Sequence, residues 1–251
     1  MNRRFLLSSL AALPFISTAR AAVPYSAQFL AGGFDGKAYS AGLLVKLDSG
    51  WKTYWRNPGE AGIPPSITAE PNSNFASITV DFPLPIRIKD ESGTAFGYHD
   101  EVLFPLMITP KDVGEPLSVH LSSFFGVCQK VCTPAKSEAM LSFSPKSPPT
   151  PDGALIALWQ KKVPTSSQKI TEMANIKGKR LSLKLDGKFD DIFIEGPDRY
   201  YFGPPIYDSK SNEFAIFDVH GLKNDSELKG VELRITANAN GQGLEQRVVV
   251  A

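Results

Sequence analysis

Two cysteines occur in the 251-residue chain, Cys128 and Cys132, and both lie in the stretch FFGVCQKVCTPAK, residues 124–136. Thiols this close can form a structural staple, hold a soft metal ion or work as a redox pair. A disulfide requires Cα atoms roughly 4.4–6.8 Å apart, whereas four extended residues span about 13 Å, so a bond between them requires Gln129-Lys130-Val131 to turn. A closed loop of about five residues stabilises a fold by only about 2 kcal/mol, less than half the contribution of a hundred-residue loop, so a staple is poorly placed here. Short bridges on exposed turns are more often the exchanging ones. Lys130 and Lys136 add cations that favour the thiolate, the attacking species. Phe124, Phe125 and Pro134 give the turn apolar flanks, suited either to docking a partner or to packing at a strand end.

The metal reading needs a third ligand. A Cys-x3-Cys pair with a histidine can hold Cu(I), but the histidines are His99, His120 and His220. On PLSVHLSS, His120 falls opposite Leu117, Val119 and Leu121, a solvent-facing position on a strand, and His220 belongs to the second half of the chain. A closed zinc site of four protein ligands is less favoured still. A nucleophile elbow, a P-loop, a dinucleotide fingerprint and an H-E-x-x-H helix are all absent from the sequence. The pair Asp90-Glu91 reads as a solvated loop, and no cofactor is called for.

The compartment follows from the amino terminus, MNRRFLLSSLAALPFISTARAAVPYSA. It has a basic start at Arg3-Arg4, an apolar run from Phe5 to Ile16 and a small-x-small site at Ala19-Arg20-Ala21, the pattern of a secretory signal peptide cut after Ala21. The apolar run is about a dozen residues, short of the roughly twenty that span a bilayer. Without residues 1–21, Lys+Arg falls from 27 to 24 against 26 Asp+Glu, a formal charge of −2. That balance gives no electrostatic reason to expect nucleic acid or an anionic membrane as partner. The mature protein is thus expected in an oxidising, periplasmic space where thiols pair.

The elements that must hold the cysteines are strands. Period-two alternation runs through Leu43-Val45-Leu47, SITVDF from Ser77, EVLFPLMI from Glu101 and PLSVHLSS from Pro116, with turn clusters AGGFDG, NPGEAG and EPNSN between them. The stretch SPKSPPTPDG, residues 144–153, cannot pair as a central strand and reads as a linker. A short helix follows in DGALIALWQKKV, with Asp152 as candidate N-cap, Leu155, Leu158 and Trp159 on one side and Pro164 beyond its end. Strands return in RLSLKLDG, DIFIEG, EFAIFDVHG, VELRITANA and QRVVVA. The expected fold is all-β, an immunoglobulin-like sandwich over 22–143, a linker over 144–153 and a second, smaller β-sandwich domain over 154–251.

Three motifs in order, GWKTYWRNPGEAGIPP from Gly50, FGYHDEVLFPL from Phe96 and FFGVCQKVCTPAK, closely resemble the amino-terminal periplasmic domain of the DsbD-type thiol:disulfide interchange proteins. They are most similar to the branch that includes the suppressor-of-copper-sensitivity membrane reductases. The resemblance covers roughly residues 25–145, and the ending LRITANANGQGLEQRVVVA resembles the second β domain of longer members of that branch. It implies an immunoglobulin-like sandwich whose pair, Cys128 and Cys132, takes electrons from a thioredoxin-like or membrane-embedded reductase and passes them to oxidised periplasmic proteins. It further implies attack by Cys132 and resolution by Cys128. The chain ends at Ala251 without the membrane conduit and thioredoxin domain of full-length members, so electrons are expected from a separate protein. The stretch KDESGT, residues 89–94, matches the cap loop that shields the cysteines in such domains, with Asp90, Glu91 and Gly93 kept and the usual aromatic missing. Trp51, Tyr54 and Tyr98 fall within the matching motifs and either line the cysteine site or pack into the sandwich core. The residues taken alone leave a Cu(I)-binding protein and a non-catalytic interaction module as the other readings.

Overall fold

The computed structural model describes residues 23–70, 73–91, 93–146, 150–167, 170–208 and 213–251; the expected leader lies outside them. Ten strands build a first sandwich: β1 (Tyr25–Phe34), β2 (Tyr39–Leu47), β3 (Lys52–Gly59), β4 (Ser66–Ala69), β5 (Phe75–Val80), β6 (Ile86–Asp90), β7 (Gly93–His99), β8 (Glu101–Pro110), β9 (Leu117–Cys128) and β10 (Cys132–Phe143). One sheet runs β1-β2-β8-β5 and the other β10-β9-β3-β7-β6, with β4 pairing β9 as well. All of these pairs are antiparallel, and the two apolar faces meet in a core that includes Leu43, Val45, Trp55, Phe104, Leu121 and Phe125. The alternation expected on Leu43-Val45-Leu47 and on PLSVHLSS is present, with Leu117, Val119 and Leu121 inward.

Two expected turns are partly strand. AGGFDG carries β1 on to Phe34, with a register shift between Ala31 and Phe34 that absorbs the two glycines. NPGEAG carries β3 on to Gly59 through a similar irregularity after Tyr54. In β1 one extra residue, and in β3 three, are accommodated in a ladder that a true turn would have ended.

The helix α1 (Pro151–Gln160) begins earlier than expected. Its cap is Thr150, whose Oγ1 accepts from the Gly153 amide at 3.0 Å, and Pro151 takes the first helical position, where a missing N–H costs nothing. Asp152 is therefore in the first turn and is not the cap. Ile156 and Trp159 are buried against the core of the first sandwich with Leu155 beside them, while Leu158, about 100° from Trp159 around the axis, is exposed.

The second sandwich comprises β11 (Thr165–Ser166), β12 (Thr171–Lys177), β13 (Arg180–Leu185), β14 (Asp191–Glu195), β15 (Tyr201–Phe202), β16 (Ile206–Tyr207), β17 (Phe214–His220), β18 (Glu232–Ala239) and β19 (Gln242–Val249). One sheet runs β11-β19-β18-β14 and the other β12-β13-β17-β15, with β16 on β17. Leu181, Leu183 and Leu185 point into its core, as the alternation of RLSLKLDG predicts.

The sandwiches meet through β14. Ile192 and Ile194 face their own core, and the residue between them, Phe193, enters the first core against Trp55 and Phe96 at centroid distances of 5.8 and 5.1 Å. A two-residue period lets one strand serve both cores.

Strands β3 and β7 approach closely at Gly97, which stands opposite Tyr54; a Cβ there would fall 2.0 Å from the Thr53 carbonyl oxygen. Gly97→Ala is expected to lower stability by about 1–3 kcal/mol through backbone displacement. Gly33→Ala, where a Cβ would meet nothing within 4 Å, should stay within about 0.5 kcal/mol of the parent. Urea unfolding of both variants tests the close approach, and equal midpoints would contradict it.

Candidate functional site

Cys128 ends β9 and Cys132 begins β10, as register partners of one hairpin with Cα atoms 4.2 Å apart, and their sulfurs are bonded. The turn expected at Gln129-Lys130-Val131 is thus the hairpin tip, and all three residues are exposed there. Strand alternation decides what each neighbour does. Leu121, Ser123, Phe125 and Val127 face the sandwich core, so Phe124, Gly126 and Cys128 lie on the opposite face of β9.

That face is covered, and the cover leaves the two sulfurs in different surroundings. Cys128 is 2% exposed and forms a small apolar cluster with Tyr54 and Ala95. The Tyr54 ring lies between Gly126 and the Gly62-Ile63 segment, at distances a side chain on either glycine would close. Gly126 is held there by its amide, which donates to the Ile63 carbonyl at 3.0 Å. Cys132, by contrast, is exposed. Its Sγ lies 3.0 Å from the Tyr54 hydroxyl oxygen.

Burial pushes the Tyr54 phenol above its ordinary pKa, and the negative charge of Asp90 pushes it further. Tyr54 is therefore neutral at physiological pH and has a proton to donate to sulfur. Asp90 is placed by Lys52, a residue 3% exposed that forms an ion pair with its carboxylate. Lys52 is the register partner of Cys128 on one side and of His99 on the other. Its stem therefore runs beneath the cysteine hairpin and its ammonium reaches the tip of the β6–β7 hairpin. An ammonium so deeply placed is costly unless a carboxylate meets it, so the pair fixes where that tip can sit.

The β6–β7 hairpin, which carries the KDESGT stretch, lies beside the cysteine hairpin. Asp90 and Glu91 form one wall of an open cleft of about 490 Å³ whose other wall is Gln129 and Lys130. The tip thus flanks the disulfide and leaves Cys132 open to solvent. Glu60, at the end of β3, holds the hairpin from behind by accepting from the Thr94 amide at 2.9 Å.

Of the residues singled out from sequence, Cys128, Cys132, Tyr54, Asp90 and Glu91 come together here. Tyr98 is opposite Thr53 and not Tyr54, so it faces the sandwich core, packs edge-on against Phe104 and donates to the Pro83 carbonyl at 2.7 Å. Phe125 is a core residue in edge contact with Tyr25, and Trp51 packs against the same core. Phe124 is 41% exposed opposite Lys136. Lys136 itself stands four residues along β10 from Cys132. His99 Nδ1 lies 3.0 Å from the Trp51 carbonyl oxygen and His120 lies beside Glu70. Among the described residues no three His, Cys, Asp or Glu side chains gather as a metal site, and no helix is long and apolar enough to cross a membrane. Lys52 is the neighbour of the cysteine pair that sequence reasoning missed. Its signal was a lysine inside WKTYW, a stretch otherwise rich in aromatic residues.

Residues 19–144 match the family model described as thiol:disulfide interchange protein DsbD, N-terminal. Among solved structures, the N-terminal periplasmic domain of ScsB from Proteus mirabilis is similar at 21% identity and a TM-score of 0.73, over 93% of this chain and 96% of that one, a likeness of fold. The Neisseria meningitidis DsbD N-terminal domain in the reduced form is 17% identical over 48% of this chain and 86% of that one, with a TM-score of 0.32. No curated protein matches the chain.

The hydroxyl beside Cys132 predicts a measurable change in the thiol. A hydrogen bond to the charged form lowers a thiol pKa. Tyr54→Phe should therefore raise the apparent pKa of reduced Cys132 by about one unit, the equivalent of one charge-assisted hydrogen bond. The pH dependence of iodoacetamide alkylation, mapped by mass spectrometry, measures it, and an unchanged midpoint would remove Tyr54 from the site.

Proposed function

The chain belongs to the family of the DsbD amino-terminal domain, and from that premise we propose that it is a periplasmic thiol:disulfide interchange protein working through Cys128 and Cys132. The observation that carries the reading is the asymmetry of the bridge: Cys132 is an exposed residue whose Sγ lies beside a neutral hydroxyl, and Cys128 is buried.

A partner thiolate reaches the exposed sulfur first. It attacks Cys132 Sγ, the Cys128–Cys132 bond breaks, and the electron pair leaves on Cys128. A second thiol of the partner then attacks the mixed disulfide and releases Cys132. The partner is left oxidised, and this chain holds two thiols once each sulfur has taken a proton. In the forward direction the Cys132 thiolate, stabilised by the Tyr54 O–H, attacks an oxidised protein. Cys128 then resolves the mixed disulfide, so that the substrate leaves reduced and the bridge re-forms. The donor is a thioredoxin-like or membrane-embedded reductase, and the acceptors are oxidised periplasmic proteins. Burial suits Cys128 to the second role, since a resolving thiol has only to reach a sulfur already bonded to its neighbour.

Removing the resolving thiol should make the intermediate persist. Cys128→Ser is expected to accumulate reductant-sensitive adducts through Cys132 in the periplasm, Cys132→Ser few, and the double variant none. All three should fold, because a bridge of about 2 kcal/mol is a minor part of a typical 5–15 kcal/mol stability. Non-reducing electrophoresis with mass spectrometry reads the adducts. Adducts through neither cysteine would contradict interchange, and adducts mainly through Cys128 would reverse the roles.

A further inference from the structure

The two strands that carry the site's polar groups are both fastened to the second sandwich. Arg56 lies two residues beyond Tyr54 on β3. Its guanidinium donates to Glu195 from Nε at 2.9 Å and from Nη2 at 2.7 Å, and to Glu245 from Nη2 at 2.7 Å. Arg87 lies three residues before Asp90 on β6. It donates to Asp191 from Nη2 at 2.8 Å and Nε at 3.0 Å, and to the Ile192 carbonyl at 2.9 Å. Phe193 sits between the two arginines, under the Arg87 guanidinium at 5.2 Å and against Trp55.

These are strong constraints. Arg87 is 9% exposed and Arg56 15%, and a forked guanidinium–carboxylate pair fixes orientation as well as distance. Strand β6 is the outermost of its sheet and its ladder runs to β7 alone. From one face of the sheet, Arg87 holds it to β14. Any shift of β6 carries Asp90 with it, and Asp90 is the partner of Lys52 and the charge that acts on Tyr54. Any shift of β3 moves Tyr54 itself, whose hydroxyl contact with Cys132 is a hydrogen bond that weakens steeply as distance and angle change.

We propose that the second sandwich is a clamp on the redox site, with Arg56 and Arg87 as positioning residues through which Glu195, Glu245 and Asp191 set the placement of Tyr54 and Asp90 and thereby the thiol–disulfide equilibrium of Cys128 and Cys132. This rests on the interchange reading for its purpose, although not for its measurement. Loosening the clamp weakens the Tyr54 contact, which favours the thiolate of the reduced form, and so moves the equilibrium toward the disulfide. An interface with only a structural role would lower the stability of both redox forms alike and leave that equilibrium in place.

The test uses the full chain carrying Asp191→Asn and Glu195→Gln together, equilibrated with reduced and oxidised glutathione and read by intact mass after acid quench. The expected result is a shift of threefold or more toward the disulfide, with an upward move in the alkylation midpoint of reduced Cys132. Asp191→Glu, which keeps the carboxylate, should stay near the parent value. So should Glu232→Gln, which breaks the exposed pair with Arg247 elsewhere in the second sandwich. Should the double variant not fold, Glu245→Gln removes one of the two carboxylates on Arg56 and carries the same test at smaller amplitude. An equilibrium within 1.5-fold of the parent in the folded variants would overturn the clamp. A parent protein that equilibrates with glutathione but exchanges with no thioredoxin-like donor would instead contradict the interchange reading, and a shift in its variants would still support the clamp.

Discussion

Strand β3 is buried on both faces, and the rest of the molecule is arranged around that constraint. One face puts Trp55 into the core between the sheets. The other presents Lys52 and Tyr54 to the cysteine hairpin, and the strand then delivers Arg56 to the second sandwich. A strand that must bury a lysine, a tyrosine and an arginine alongside Trp55 has few ways to satisfy its charged and hydroxyl groups. The fold supplies partners for these three: Asp90 for Lys52, Cys132 for Tyr54, and Glu195 with Glu245 for Arg56. The cysteine hairpin, the tip of the β6–β7 hairpin and the second sandwich are therefore all contacted from a few successive residues.

Two kinds of interaction hold this arrangement, and they do different work. Apolar burial supplies most of the stability, with Phe193 alone filling a space whose loss would cost about 3–5 kcal/mol by the usual cost of truncating a buried aromatic. The buried ion pairs add little net stability, because desolvation offsets their attraction. What they add is definition: a carboxylate misplaced from Lys52, Arg56 or Arg87 leaves a charge without its partner, so alternatives to the observed geometry are costly. The site combines an apolar platform under Cys128 with a charged frame around it. That suits the proposed exchange, in which the disulfide is opened and closed without disturbing the sandwich beneath.

The fold was largely legible in the sequence. Alternation located the main strands, and the chain's three motifs pointed to the family that the profile match then established. Parity also held the answer to which aromatic residues belong to the site, but only once a register was known. Tyr54 and Tyr98 look equivalent in sequence, and the pairing of Tyr54 with Gly97 and of Tyr98 with Thr53 separates them. The charged partners were beyond reach for another reason. Arg56 meets a residue 139 positions away and Arg87 one 104 positions away, and no local pattern encodes contacts of that span. Thr150 was missed as a cap because the prolines around it read as a linker, although Pro151 sits where a helix tolerates it best.

The central claim is that the bridge is opened at the exposed sulfur. The most direct test is to mix the oxidised protein with an excess of a thioredoxin whose second active-site cysteine is replaced by serine, quench with acid before Cys128 expels the donor again, and locate the trapped mixed disulfide by peptide mass mapping. The account predicts a single adduct at Cys132 with Cys128 recovered as a free thiol, because Cys132 is exposed and Cys128 is buried. An adduct at Cys128, or a bridge that stays closed under a large excess of that donor, would contradict it.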